Sequence, residues 1–471
     1  MDKALWRYRA AGVVGGLMLA AGQFWGPACV LQAAALAPVL WLAVRDKRVG
    51  DAAMAGLYMG IFYTLPQMVY LRMPVPVTAV LLVWFCILLT GLCAASAALL
   101  RRGGLWGALA VGAAWYLLDV ANVTAIPIWG LAQSFARSWT ATPAAIGFIE
   151  LTGISGAVFV LGAVQGLGVV AVSTMPQQRR KALIALGVLL GLVLAANVWV
   201  LLRQPSGTIR IAAAGWVFDD RNADIDPHKA EGFERLFATP VRQAAAAGAK
   251  VFTTGEMGFY IADHERAMWL ERFSSVAQET GMWLAVGYWN ISADENRLFF
   301  MSPQGEIVHE YTKTHLTPYE PGKKGTGDLK TVETGGVTLG GMICQDDNFA
   351  PLTRYYGRLK ADVVVCPTAD WWTIRVAHLQ AVRARAMEGR YGIARGAANG
   401  ISAIISPTGE VLAQQDHYSD GPGWIVADVP ILEGVTVFSR WGFWPGLIVA
   451  AGVMGTAFWR EGRKVRRAGK V

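Results

Sequence analysis

The chain has 471 residues, of which 54% are hydrophobic and 16% charged, with 19 Trp, 53 Gly and a mean hydropathy of +0.37. A soluble protein carries about 25% charged residues, so this composition excludes a disordered chain and argues against a purely soluble one. The net charge of +8 is uneven: residues 205–440 hold 22 Lys/Arg against 28 Asp/Glu, a net of −6, while the flanks carry 20 against 6, a net of +14. The basic flanks punctuate long apolar runs, so they read as membrane topology signals rather than a nucleic-acid surface.

Eight apolar runs follow in order, at about 10–25, 28–44, 52–70, 76–100, 105–123, 150–173, 182–202 and 441–459. A helix needs about 20 apolar residues to cross a bilayer core. The first two runs are short and split by Gly26-Pro27, which fits two short helices or one re-entrant hairpin. The first has a basic start like a signal peptide but leads straight into further apolar runs, so it reads as retained. One set of connections carries Lys3, Arg7, Arg9, Arg45, Lys47, Arg48, Arg101, Arg102, Arg179, Arg180 and Lys181, with the tail Arg460, Arg463, Lys464, Arg466, Arg467 and Lys470. The other carries only Arg72, Arg137 and Arg203. This alternation predicts eight crossings, both termini cytoplasmic, and residues 203–440 on the far side. In a bacterium with an outer membrane, that side is the periplasm.

The far-side loop 124–149 is rich in aromatic residues and reads as an interfacial belt, or as the lining of a lipid entry path. Asp119 and Glu150, near run ends on that side, read as solvated at the interface.

From about residue 208 the pattern changes. Strand-like TIRIAAAG precedes a helix-like stretch at 226–248, then KVFTTGEMG, a helix at 264–281, the strand MWLAVGYWN, and a hairpin at 297–316 turning at Pro303-Gln304-Gly305-Glu306. GVTLGGMICQDD, ADVVVCPTAD, a helix from about 375 to 390, and strands GIARGAANG and SAIISPTGEVLAQ complete it. Strands alternating with helices predict an α/β domain with helices packed on sheet. The boundaries expected are 1–203 for the membrane domain, 204–436 for the α/β domain and 437–471 for a last crossing with a basic tail.

Three segments place reactive side chains at or just past strand ends, where α/β folds expose ligands. These are Gly255-Glu256-Met257, Tyr311-Thr312-Lys313-Thr314-His315 and Ile343-Cys344-Gln345-Asp346. A thiol of pKa about 8.5 is mostly protonated at neutral pH. A nearby carboxylate can take its proton, and an ammonium can stabilise both thiolate and oxyanion. Glu256, Lys313 and Cys344 could therefore make and break an acyl-thioester. The five Cys form no CxxC pair or metal-ligand spacing, so neither a disulfide framework nor a metal site is expected, and no phosphate-binding glycine loop is present.

Read in this order and spacing, the chain resembles the nitrilase superfamily, whose catalytic set is Glu, Lys and Cys. With seven apolar runs before the domain and one after, it most resembles the bacterial apolipoprotein N-acyltransferases. The likeness is sharpest at Lys313-Thr-His315-Leu316-x-Pro318, Ile343-Cys344, and His378-Leu379-Gln380 through Arg383, Arg385 and Glu388 to Asn399-Gly400; Asn296 and Pro303-Gln304-Gly305 also fit. The resemblance implies an α-β-β-α sandwich beside a multi-pass helical membrane domain. It implies Glu256 as general base, Lys313 as electrostatic partner and Cys344 as nucleophile. Glu320 matches a second acid after the lysine, Asp346 the acid two residues past the nucleophile, and Trp371 or Trp372 an aromatic near the site. His315 orients the lysine loop, and Arg383 and Arg385 pair with Glu388. The chain departs from the family at Gln345 and Asp346, in the shortened turn Pro318-Tyr319-Glu320, and in the segment Gly215–Asp220.

The activity so implied is acyl transfer from a phospholipid, through a Cys thioester, to the α-amino group of the lipidated N-terminal Cys of a lipoprotein. It needs no cofactor, metal or nucleic acid, and the chain reads as a monomer in the inner membrane with its catalytic domain periplasmic. The competing readings are a membrane-anchored amidase using the same residues, a paralogue with another acceptor, and a non-catalytic module that keeps the fold.

Overall fold

A computed structural model describes residues 3–24, 26–101, 104–125, 130–217, 226–318 and 320–468, with side chains described up to Trp459. Arg102, Tyr319, Lys470, the segments 126–129 and 218–220, and the side chains of the basic tail lie outside the described residues. The chain divides into two compact units.

The first unit holds residues 1–126, 133–200 and 441–471. Its helices are α1 (Lys3–Phe24), α2 (Ala37–Asp46), α3 (Val49–Leu71), α4 (Val75–Arg101), α5 (Gly104–Ala125), α6 (Ser155–Ser173) and α7 (Pro176–Leu201), with a C-terminal helix Trp444–Ala468. Among the described residues, five spans are long and apolar enough to cross a membrane: Gly26–Asp46, α4, α5, α6 and α7. The first two apolar runs form separate segments joined through a 3₁₀ stretch, Gly26–Ala33.

Glycines let these helices approach closely, as small-xxx-small patterns do in membrane bundles. A Cβ on Gly162 of α6 would stand 2.8 Å from Gly112 Cα of α5, and one on Gly166 would stand 2.3 Å from the Ala108 carbonyl oxygen. At these positions glycine is helix-contact surface rather than turn.

The loop after α5 differs from the expected aromatic belt. Residues 133–140 are short 3₁₀ turns, buried except for the half-buried Trp139. Irregular backbone among apolar helices must find partners inside the protein. Gln23 Nε2 donates to the Ser134 and Phe135 carbonyls (3.0 and 3.1 Å). Arg137 donates back to the Gln23 carbonyl (3.2 Å), and Trp139 Nε1 donates to Gln32 Oε1 (2.8 Å). Asp119 is 0% exposed and its carboxylate accepts from the Phe135 amide, Ser134 Oγ and Ser155 Oγ. Glu150 is 2% exposed. Solvation of these two acids, expected from their position near run ends, is therefore corrected: both are buried, and Asp119, on α5, serves the loop as a hydrogen-bond acceptor.

The second unit holds residues 127–132 and 201–440. Its first sheet runs β15-β1-β2-β4-β5-β6, with β3 on β4; its second runs β14-β13-β11-β9-β8-β7. The strands are β1 (Gly207–Gly215), β2 (Val251–Thr253), β3 (Phe259–Ile261), β4 (Trp283–Asn290), β5 (Glu295–Met301), β6 (Ile307–Thr312), β7 (Val332–Glu333), β8 (Thr338–Gly341), β9 (Val363–Val365), β10 (Thr368–Ala369), β11 (Gly392–Arg395), β12 (Ala397–Ala398), β13 (Ile401–Ile405), β14 (Val411–Asp416) and β15 (Gly423–Ile431). Between the sheets lies one core, with Ile211, Val251, Leu298 and Phe300 from the first facing Leu339, Val363, Val365 and Ile404 from the second. Helix α8 (Arg266–Thr280) covers the outer face of the first sheet through Trp269 and Phe273. Helix α9 (Arg375–Gly389) covers the second through Leu379, Val382 and Ala386. This is the expected α-β-β-α sandwich.

Strand β15 was not anticipated. It pairs antiparallel with β1 over nine residues and forms the sheet edge, where Pro430 and the Arg210–Asp428 ion pair are tolerated.

Close packing of α5 on α6 yields a direct test. Gly162→Leu overpacks that contact and should cost about 1–3 kcal/mol, read as a lower melting temperature in detergent. Gly187→Leu, where a Cβ meets nothing within 4 Å, should leave melting unchanged.

Candidate active site

Three strand ends converge in the second unit. Past β2, Glu256 lies in a turn fastened on both sides: its amide donates to the Thr368 carbonyl (3.2 Å), and the Gly258 amide donates to the Gly287 carbonyl (3.1 Å). A Cβ on Gly255 would stand 2.4 Å from the Ala398 nitrogen, so only glycine fits here. Past β6, the Lys313 amide donates to the Asn296 carbonyl (2.9 Å) and its carbonyl accepts from Gly325 (2.8 Å). Past β8, Cys344 opens a single 3₁₀ turn, Cys344–Asn348, with its amide on the Pro367 carbonyl (2.8 Å). Its φ of +47° is a left-handed value that costs a non-glycine residue of order 1 kcal/mol and turns its side chain out of the strand's path.

The side chains meet. Lys313 Nζ donates to Glu256 Oε1 (2.7 Å) and to both Glu320 oxygens (2.8 Å each). Asn296 Nδ2 donates to Glu256 Oε1 (2.7 Å) and Glu320 Oε1 (3.3 Å). Glu320 is aimed by Thr317, whose amide and hydroxyl donate to its Oε2. Cys344 Sγ lies 3.8 Å from the Ala369 carbonyl oxygen, and the Glu256 and Lys313 charges both act on the thiol. Lys313 and Glu256 are 1% and 2% exposed.

Burial and the Glu256 charge push the Cys344 thiol well above its usual range, with Lys313 working against them. Burial also raises Glu256, with Lys313 opposing and Glu320 adding to the rise. Burial disfavours the Lys313 charge, but Glu256, Cys344 and Glu320 outweigh it and hold the ammonium above its ordinary value. One fixed cation therefore sits among two acids and a thiol, a set able to pass one proton between sulfur and carboxylate.

The other expected residues take different places. Asp346 does not touch that set. It accepts from Tyr311 OH (2.8 Å), Thr314 Oγ1 (2.8 Å), the His315 amide (2.9 Å) and the Ile343 amide (3.2 Å), pinning the lysine loop to the cysteine turn. His315 Nδ1 lies 3.0 Å from Asp346 Oδ1, and the ring stacks on Phe349 at 3.9 Å. Trp371 and Trp372 are 40% and 49% exposed. Trp372 lies under the Arg375 guanidinium (3.6 Å) and edge-on to Tyr418. Arg385 pairs with Glu388, whereas Arg383 donates to the Gly409 carbonyl (2.8 Å) instead, a correction to the expected pairing.

Sequence reasoning missed a second layer. Asp370, just past β10, accepts from Arg395, and its Oδ1 lies 2.7 Å from His378 Nδ1. His378 Nε2 lies 3.1 Å from Asp347 Oδ1. Asn296 was noted only as part of a motif; its signal is a buried amide inside the apolar strand ENRLFFM. Cys344, Asp370 and His378 offer ligand-type atoms within 4.8 Å of one another. A metal needs neutral imidazole with a free nitrogen, but both His378 nitrogens face carboxylates and Arg395 already holds Asp370. This donor set fits an ion-pair cluster. Burial lowers the His378 pKa, but Asp347 and Asp370 outweigh burial and Arg395 and raise it to about 9.

Residues 224–433 match the carbon-nitrogen hydrolase family. An apolipoprotein N-acyltransferase of Geobacter metallireducens is 27% identical over 277 residues, 51% of this chain and 52% of its own. One of Rickettsia bellii is 30% identical over 173 residues, 31% of this chain and 33% of its own. A deaminated glutathione amidase of Bos taurus is 27% identical over 246 residues, 44% of this chain and 74% of its own. The chain thus spans about half or less of the length of these acyltransferases.

The raised His378 pKa sets a stability window. Its folded value lies above the unfolded value of about 6.5, so its contribution is complete below that pH and is lost as pH rises through about 9. Stability in detergent should fall by on the order of 3 kcal/mol between pH 6.5 and 9.5, and His378→Asn should flatten that decline in a melting series.

Proposed function

We infer that this chain, which belongs to the apolipoprotein N-acyltransferase family of the nitrilase superfamily, transfers a fatty acyl group through a thioester on Cys344. The observation that carries the reading is the buried Lys313–Glu256 pair (2.7 Å), whose two charges both act on the Cys344 thiol.

In the first half-reaction the Cys344 sulfur attacks an ester carbonyl of a phospholipid while its proton passes to Glu256. Lys313, itself shut off from solvent, offsets the charge that develops on the carbonyl oxygen, where such compensation counts most. The carbon–oxygen bond breaks, the departing lyso-lipid oxygen takes the proton from Glu256, and Cys344 is left acylated. In the second half-reaction the α-amino group of a lipidated N-terminal Cys on a lipoprotein attacks the thioester. Glu256 takes a proton from the amine, the carbon–sulfur bond breaks, and the thiol regains that proton as the amide leaves. Glu320 and Asn296 hold the Lys313–Glu256 pair in register throughout.

Both substrates carry long chains, and each methylene drawn into water costs about 0.8 kcal/mol, a physical reason for the helical unit on the same chain. The distribution of basic residues among the connections supports cytoplasmic termini and an active site on the opposite, periplasmic face of a bacterial inner membrane.

The resemblance to an amidase over 74% of that enzyme's length favours one second reading, in which water replaces the amine and the product is a free acid. Intact mass of purified protein after incubation with phospholipid separates the readings. The expected result is a covalent acyl adduct on Cys344 that persists in water and is discharged by a lipopeptide amine. Cys344→Ala should lose the adduct and slow transfer by roughly 10³-fold or more. An adduct retained by Cys344→Ala rejects the mechanism; an adduct that decays without amine selects hydrolysis.

A further inference from the structure

We propose that the buried cluster Asp347–His378–Asp370–Arg395 is a positioning device for Cys344, in which protonated His378 clamps the two chain segments flanking the sulfur and balances the acids behind it. The proposal rests on the reading of Cys344 as nucleophile and adds a residue outside the Glu–Lys–Cys set.

The geometry carries it. The first flanking segment is Pro367–Asp370. The Pro367 carbonyl takes the Cys344 amide, and the Ala369 carbonyl lies 3.8 Å from Cys344 Sγ. This segment ends at Asp370, whose carboxylate is held by His378 Nδ1 (2.7 Å) and Arg395. The second is the turn that Cys344 itself opens. Asp347, three residues on, faces His378 Nε2 (3.1 Å), while its carbonyl takes Arg385 Nε (2.7 Å). One imidazole on α9 thus bridges both walls of the nucleophile's setting. Carboxylates accept hydrogen bonds, so an imidazole serving two of them through both nitrogens must carry both protons. All four side chains of the cluster are buried.

Charge counting gives the consequence. Asp347 and Asp370 supply two negative charges; Arg395 and doubly protonated His378 supply two positive. A neutral side chain at 378 leaves a net negative charge near the sulfur, which disfavours thiolate. The other charged or titratable groups around the cluster are Arg375, which acts on Asp370, the Arg385–Glu388 pair on α9, Cys366, whose Sγ lies 3.9 Å from Asp347 Oδ2, and Tyr391.

The test is the rate of Cys344 alkylation by iodoacetamide at about pH 7, where His378 is charged, read by peptide mass on the full-length protein in detergent, beside acyl-adduct formation from phospholipid. His378→Asn should slow alkylation by about tenfold and slow adduct formation without weakening phospholipid binding. Asp347→Asn/His378→Asn, which removes one charge of each sign, should bring the rate back toward wild type. Asp370→Asn should speed alkylation, opposite to His378→Asn, whereas structural damage would move both the same way. An unchanged rate in His378→Asn, or a double variant as displaced as the single, overturns the proposal. If His378→Asn does not fold, an unchanged or slower rate in Asp370→Asn overturns it alone. A wild-type protein that forms no acyl adduct, with these rate changes intact, overturns the acyl-transfer reading instead.

Discussion

A lysine ammonium shut away from water between two carboxylates is the constraint around which the second unit is built. Taking such an ion out of solvent costs several kcal/mol, and the cost is recovered only when its hydrogen bonds are met in good geometry. Lys313 meets this with all its donors: one to Glu256 and two to Glu320. To hold that arrangement, three strand ends must arrive at one place, and each is fastened by backbone hydrogen bonds to a neighbouring segment rather than left as a free loop. The left-handed backbone at Cys344 and the absence of room for a Cβ at Gly255 are local consequences of that convergence.

The same rule shapes the first unit in another solvent regime. Its 3₁₀ turns after α5 carry amides and carbonyls into an apolar setting, so the neighbouring helices carry Gln23, Asn122 and Asp119 to meet them, and Gln32 takes the Trp139 indole N–H. Polar residues inside apolar runs are costly there and are kept where they pair. Glycine and alanine do the complementary task, letting helix backbones touch where no polar contact exists.

Much of this was legible in the residues. Short β-rich runs between helix-like stretches gave β1, β4 and the β5–β6 hairpin, and apolar runs of membrane length gave the long helices. Strand β15 escaped because Asp428 and Pro430 interrupt the apolar run, which an edge position permits. Asp119 and Glu150 were misplaced because a run's end in sequence does not reveal whether a loop folds outward or back among the helices. The Glu, Lys and Cys segments were legible as strand-end motifs. Asp347 and Asp370 were not, because their partners His378 and Arg395 come from α9 and β11, and no local spacing links residues that meet only when two sheets stack.

The departures around Cys344 acquire a physical meaning from the same contacts. Were Asp346 an acid of the reacting set, replacing a longer side chain there would change the proton balance at the sulfur. Its oxygens are instead fully engaged by Tyr311, Thr314, His315 and the Ile343 amide. They join the lysine loop to the cysteine turn, apart from the Glu256–Lys313–Glu320 contacts. Likewise the compact stretch after Lys313 still delivers Glu320, since Thr317 folds back to grip its carboxylate. These places therefore tie the loops together, while Lys313, Glu256 and Glu320 form a separate charged set beside them.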